Sequence, residues 1–401
     1  LGVPLFQEQL MQMAIDVAGF TPSEADQLRQ AMGSKRSVER MERLKRRLYE
    51  GMAERGVTDD VADQIFHKLV AFASYGFPES HSVSFAYIVY SSCWLKYHYP
   101  AAFCAGLLRS QPMGFYSPHS LVQDARRHGV TVLPPDVNAS AWQSGLEPCE
   151  GSTGGVAVRL GLNYVRHVGD ELAQELDGGR PYVSIEDVAR RGSAAAGGVR
   201  RNVLEALATA GAFGTLGQHG TLGQQGSRRH GRREDLWTAG AAAASGPDRL
   251  AGMTVGLDAP QLPLMSLQEE AVADLWSTGV AADGHPTRFM RAELESAGVL
   301  TAADLRVAEA GRNVTVAGVV THRQRPATAQ GTMFINLEDE TGLINVVCSL
   351  GCWTRYRVVA RRAPALLVKG RLERAEGVVN VIAHSIRTLP VAATSGSRDF
   401  R

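Results

Sequence analysis

Between residues 311 and 390 the apolar residues of this chain change from helical spacing to alternation. Val314, Val316, Gly318 and Val320 alternate with their neighbours, and Met333, Ile335 and Leu337 flank Phe334 and Asn336. Leu343–Cys348, Leu366–Gly370 and Val378–Ala383 complete five short strands, with Glu338-Asp339-Glu340-Thr341-Gly342 as a turn. A period of two puts one side of each strand into a core. Five such strands within about 80 residues predict a small Greek-key barrel.

Everything before that segment reads as mainly helical. Leu10, Met13, Ala14 and Val17 recur at helical spacing, and residues 1–120 carry helix after helix. Thr21-Pro22-Ser23-Glu24 is a helix start, with Thr21 as N-cap, Pro22 in the first turn and Glu24 reaching back. Gly33 ends that helix. Arg36–Gly51 is a basic helix, Asp59–Ser74 a third and Ser84–Tyr99 an apolar one; Pro78 breaks the chain between the last two. Gly129–Pro135 is a short strand closed by two prolines. Residues 151–216 predict short helices with glycine turns. Residues 217–250, with a short tandem duplication over 214–225, predict a flexible linker. Residues 261–310 return to helical spacing.

A chain of 401 residues that is 44% hydrophobic suits about two to four domains, so the expected fold is multidomain, mainly α, with a C-terminal all-β barrel. Its net charge of only +1 means that any nucleic-acid surface must come from local arginine clusters. The five cysteines form no Cys-x-x-Cys pair and read as reduced thiols of a cytoplasmic protein, without a disulfide framework or zinc knuckle. No apolar run is long enough to span a membrane. The opening at Leu1 reads as mid-domain.

Two-metal phosphoryl chemistry needs clustered carboxylates. Glu338-Asp339-Glu340 is the best acidic cluster and reads as a solvated hairpin turn, while Asp59-Asp60 reads as a helix N-terminus. No catalytic residue and no metal site are therefore expected. Arg29, Lys35 and the arginines of 36–47, with Tyr75 and His81, are groups that grip a triphosphate and stack on a base, or else a solvated helix face and a packed turn. Leu162–His167, the turn Val168-Gly169 and Asp170–Leu176 read as one helix–hairpin–helix element, and Val203–Ala210 running into Gly211 as another. Such turns aim backbone N–H groups at phosphate, with Arg159, Arg166, Arg200 and Arg201 at hand. In the barrel, Arg323, Arg325, Phe334, Asn345, Trp353, Arg355 and Lys369 mix cations with aromatics as single-strand surfaces do. Phe334 and Trp353 suit the core equally well.

Tyr75-Gly76-Phe77-Pro78-Glu79-Ser80-His81-Ser82, Trp94–Phe103, Leu28–Gly33, Leu133–Asn138, and Thr278-Gly279 with His285-Pro286 resemble, in order, the bacterial C-family DNA polymerases, the alpha subunits of DNA polymerase III. Ser110–Pro118, Gln123–Gly129 and Ser397–Phe400 are most similar to the error-prone branch of that family. The resemblance implies polymerase fingers at 1–145 and tandem helix–hairpin–helix at 150–216. A linker and helical connector at 217–310, an oligonucleotide-binding (OB) fold at 311–390 and a tail at 391–401 follow. It places Arg29, Lys35, Tyr75 and His81 near an incoming deoxynucleoside triphosphate; Gln30 stands where the family often has a second arginine. The palm with its catalytic aspartates and Mg²⁺ would lie upstream of Leu1. Implied partners are primer–template DNA, single-stranded template, and the sliding clamp or an accessory translesion protein. Gln261–Met265 reads as an apolar linker strand or, by the resemblance, as a clamp-binding peptide.

The expected function is templated DNA synthesis in damage tolerance, with this chain handling nucleotide and DNA and the chemistry residing elsewhere. The competing expectations are a non-catalytic DNA-binding protein of the same architecture and a high-fidelity replicative subunit.

Overall fold

The computed structural model describes residues 7–32, 37–75, 79–114, 116–193, 197–216, 231–326, 329, 331–375, 377–392 and 398–400. The first compact unit is carried by Leu1–Cys93, the second by Trp94–Arg323 with Phe334–Phe400. The division falls inside a helix, whereas the sequence expectation closes the fingers at about 145.

The first unit contains α1 (Gln7–Ala18), α2 (Pro22–Met32), α3 (Ser37–Glu54), α4 (Asp59–Tyr75) and most of α5 (Glu79–His98). The predicted start of α2 forms as a reciprocal cap: the Thr21 amide donates to Glu24 Oε2 at 2.7 Å and the Glu24 amide to Thr21 Oγ1 at 3.3 Å. That backbone bond, with help from Arg47, holds the Glu24 carboxyl below the usual carboxylate range. Leu10, Ala14 and Ala18 of α1 pack with Leu28 of α2, Met41, Leu48 and Met52 of α3, and Phe66 and Leu69 of α4. The apolar helix predicted from Ser84 begins at Glu79, and its apolar residues stay in solvent. Val83, Phe85, Tyr87, Ile88, Val89 and Tyr90 are all more than half exposed.

The second unit opens with α6 (Pro100–Arg109) and α7 (Pro118–Arg127), which pack on a small sheet of β1 (Val132–Leu133), β2 (Gly145–Pro148) and β3 (Val156–Arg159). Its order is β1-β3-β2. The sequence predicts only β1; β3 lies within the 151–216 stretch that predicts short helices with glycine turns. Two of those glycines, Gly154 and Gly155, do form turns, and the chain then extends through Val156–Arg159. Next come a 3-10 turn at Leu162–Tyr164, α8 (Asp170–Gly178), α9 (Ile185–Arg191), α10 (Arg201–Thr209), α11 (Arg232–Ala242) and α12 (Leu267–Thr278). α11 corrects the flexible-linker expectation for 231–250. Its Ala239 and Ala242 are fully buried against Leu204 and Leu207 of α10. Residues 217–230, with most of the duplication, lie outside the described residues.

α13 (Arg291–Ser296), β4 (Val299–Leu300) and α14 (Ala302–Val307) lead into the barrel strands β5 (Asn313–Gln324), β6 (Met333–Asp339), β7 (Gly342–Cys348), β8 (Ala365–Ala375) and β9 (Val378–Thr388). Strand order is β5-β6-β7-β9-β8, closed by antiparallel β5–β8 pairing with Val316 opposite Val368; β7 and β9 run parallel with Val346 beside Val381. Closure removes the exposed edges. β10 (Arg398–Phe400) adds to β5. A bulge at Lys369/Gly370 bends β8, and a Cβ at Gly370 would come within 2.3 Å of the Ile382 carbonyl oxygen. An unexpected helix, α15 (Leu350–Arg362), joins β7 to β8. Ser349 caps it, and Trp353 on this helix is 7% exposed.

Candidate nucleic-acid interface

In the first unit, Arg29 is exposed on α2 and its Nη2 lies 2.9 Å from Asp26 Oδ1, while Gln30 donates to the other oxygen of Asp26 at 2.8 Å. Tyr75 closes α4 and His81 sits in the first turn of α5; Lys35 lies outside the described residues. The basic helix α3 is less available to phosphate than its composition suggests. Arg47 donates to Glu24 and to the carbonyls of Ala18 and Gly19, Arg46 pairs with Glu50, and Lys45 lies 4.8 Å from the Phe66 ring centre.

In the second unit the first hairpin is shorter than expected. The helix predicted over Leu162–His167 is a single 3-10 turn that ends as Val165 takes an extended conformation, and His167 beyond it is left-handed with φ 67°. Val168 is buried and anchors the turn, and the exposed Gly169 is the N-cap of α8. Asp170 and Glu171 already occupy the positive end of that helix, which disfavours a phosphate there. Arg166 is exposed, its guanidinium 4.9 Å from the Trp276 ring centre. Arg159 is committed elsewhere: it grips both oxygens of Glu147 at 2.8 Å and donates to the Pro134 carbonyl, fastening the small sheet.

The second element is electrostatically the reverse of the first. Arg200 caps α10 and Arg201 opens it, with no carboxylate in the first turn. Both arginines are exposed; Arg201 pairs with Glu205 one turn on, and Arg200 makes no ion pair among the described residues. At the other end of α10, Gly211 has φ 74°, and a Cβ there would lie 2.9 Å from Arg232 Nε. Arg232 spans α10 to α12, donating to the Thr209 carbonyl at 3.2 Å and to the buried Asp274 at 2.6 Å.

On the barrel, Phe334 is 37% exposed on β6, and Asn345 faces outward from the neighbouring β7. In OB folds this pair of strands, with the adjoining loops, carries oligonucleotides. Arg325 is exposed in the connection after β5, Arg355 on α15 and Lys369 on β8. Arg323 is turned inward: 5% exposed, it donates to the carbonyls of Ala360 and Ala363 and ties β5 to the end of α15.

The acidic trio is neither a solvated turn nor a cation site. Glu338 and Asp339 are 1% and 0% exposed. Glu338 accepts from Arg127 at 2.9 Å and from Ser120 at 3.1 Å, and Asp339 accepts the Ala302, Thr341 and Gly342 amides. Glu340 is held by Arg291 and Thr287. Burial pushes the Glu338 and Asp339 carboxyls up, against Arg127 and the Thr341 hydrogen bonds respectively; for Glu340 the pull of Arg291 and Thr287 exceeds burial and the net shift is down. These oxygens are taken by protein donors and do not fit Mg²⁺. Among the described residues no three His, Cys, Asp or Glu side chains are placed to hold a metal ion, and no helix is long and apolar enough to cross a membrane.

Three family models match the chain in order. The bacterial DNA polymerase III alpha subunit finger domain matches residues 1–56, the helix-hairpin-helix motif 129–221 and the OB-fold nucleic acid binding domain 314–389. An error-prone DNA polymerase of Nocardia farcinica is 57% identical over the whole of this chain, which covers 34% of that protein. The corresponding proteins of Mycobacterium tuberculosis and Corynebacterium glutamicum are 54% and 49% identical, again over the whole chain, with 35% and 36% of their lengths covered. The chain is a homologue of bacterial error-prone DNA polymerases. It spans about a third of the length of these curated relatives. The asparaginyl-tRNA synthetase of Pyrococcus horikoshii aligns with 25% of the chain at 18% identity and a TM-score of 0.20, too low to add to this assignment.

Proposed function

We propose that this chain is the nucleotide- and DNA-handling part of an error-prone polymerase that copies damaged templates. Arg29, Lys35, Tyr75 and His81 approach the incoming deoxynucleoside triphosphate. Arg200 and Arg201 at the start of α10 hold a duplex phosphate, and Arg166 beside the Val168-Gly169 turn adds a weaker contact to the same backbone. Phe334 with Arg325, Arg355 and Lys369 steadies single-stranded template on the barrel. Mg²⁺ and the reacting carboxylates belong to parts of the longer relatives outside this chain, and a clamp or accessory translesion protein is a partner of the whole protein.

The observation that carries this reading is the order of fingers, helix–hairpin–helix and OB matches in one chain whose best carboxylate cluster is consumed by arginines and amides. The exposed apolar face of α5 fits the same reading, because a surface of that kind calls for a covering domain. A primer-extension assay with Mg²⁺ on the purified chain tests it. No extension by the chain, together with binding of primer–template, is the expected result. Extension that survives repurification and tracks with the chain would overturn it.

A further inference from the structure

A groove of about 880 Å³ opens between α10, α11 and α12 of the second unit, a size that suits a small ligand or one or two nucleotides. Two indoles stand in its wall, Trp237 from α11 and Trp276 from α12, and both remain about half exposed (52% and 48%). Large aromatic rings normally bury their faces; two left open in one concave site are poised to receive a flat partner. Gly240 and Ala241 lie along the same wall and leave room for one.

The charges around the groove favour an anionic partner. Arg201 and Arg233 line it against a single lining carboxylate, Glu205, and Arg166 caps Trp276. Arg201 is held by Glu205 and Arg233 by Glu269, both in solvent-exposed pairs that a phosphate can replace at little cost. Arg166 makes no ion pair among the described residues. The groove adjoins the hairpin elements: Arg201, which opens the helix of the second, lines it, and Arg166 of the first stands over its Trp276.

We infer that this groove binds unpaired DNA, with bases stacked on Trp237 and Trp276 and the backbone drawn by Arg166, Arg201 and Arg233. The inference rests on the DNA-handling reading and adds a single-strand site separate from the barrel. Stacking of this kind tolerates any base, because every base presents a π-face.

The test uses the full chain, an oligothymidylate of about twelve nucleotides, an abasic oligomer of the same length and a primer–template duplex, read by fluorescence anisotropy. Trp237→Ala with Trp276→Ala is expected to weaken oligothymidylate at least about tenfold. Duplex affinity should stay within about twofold, and Trp237→Phe with Trp276→Phe should recover most of the loss. Unchanged oligothymidylate affinity in the double alanine variant would overturn the inference. So would equal affinity of the wild-type chain for the abasic oligomer, or capture of an apolar peptide that oligothymidylate fails to displace. A wild-type chain that binds neither duplex nor oligothymidylate overturns the DNA-handling reading and the groove together; duplex binding without base-dependent single-strand binding overturns the groove alone.

Discussion

Glu338, at the end of β6, accepts a hydrogen bond from Arg127 of α7 at 2.9 Å with its carboxylate 1% exposed, so a buried ion pair fastens the barrel to α7. Breaking a buried pair from one side strands a charge, which costs about 3–5 kcal/mol. Arg127→Met is expected to destabilise the second unit by about that amount and Glu338→Gln by less, since the amide oxygen still accepts from Arg127 and the amide N–H can donate to the Ser120 hydroxyl oxygen. Denaturant midpoints compare the two; equal small losses would mean that water reaches the pair.

Two histidines sit beside this junction. His119 and His285 are both buried with ring centres 5.7 Å apart, and neither Nε2 finds a partner. Burial, reinforced by Arg126 and Arg127, brings His119 down to about 4, and His285 is also held well below 6.5 by burial, His119 and the same arginines. Between pH 6.5 and 4 the unfolded chain therefore binds more protons than the folded one. Stability is fully present above 6.5 and falls as the pH drops, by up to about 1.4 kcal/mol per pH unit for each histidine. Denaturant midpoints measured from pH 7 to 4.5 should show this slope, and His119→Gln should flatten it. A slope that does not change on substitution would assign it to other groups.

The two hairpin elements should contribute unequally to DNA affinity. α8 starts with Asp170 and Glu171, α10 with Arg200 and Arg201. Arg200→Ala with Arg201→Ala is expected to reduce the magnitude of the salt slope of duplex binding by about 1 to 2, following roughly 0.9 per phosphate neutralised. Arg166→Ala should change it by less than 1 on the same scale. Titrations across a salt series read the difference; the opposite ranking would return the main phosphate contact to the first turn.

The apolar face of α5 yields a prediction about the isolated chain. Ile88→Ser with Val89→Ser should lower hydrophobic-dye binding and self-association while shifting stability by no more than about 0.5 kcal/mol, as for other surface substitutions. A larger loss of stability would mean that these side chains are buried in solution.

The sequence shows the architecture more clearly than the site. Alternation over 311–390 is a strong signal because every strand of a closed barrel has one buried side, and Thr21-x-x-Glu24 is a local cap that needs no tertiary information. Helix α15 is not read from the sequence, because it lies inside a segment whose other apolar residues alternate. Nor is the fate of individual arginines. Arg323 and Arg159 look like phosphate ligands by type, yet each is spent on partners distant in sequence, Ala360 and Glu147, that only the fold brings near. Glu338 reads as a turn residue because its partner Arg127 lies far back in the chain. Trp237 and Trp276 carry no sequence signal, since exposure cannot be read from residue type and their segments read as linker and plain helix.

The central claim is that this chain grips DNA through charge on a few local surfaces despite its near-neutral total. Its most direct test is the affinity of the purified chain for a primer–template duplex at about 50 and about 200 mM salt. Binding at the lower salt that weakens at least about tenfold at the higher is the predicted result. Absence of binding at the lower salt, or binding indifferent to salt, would contradict it.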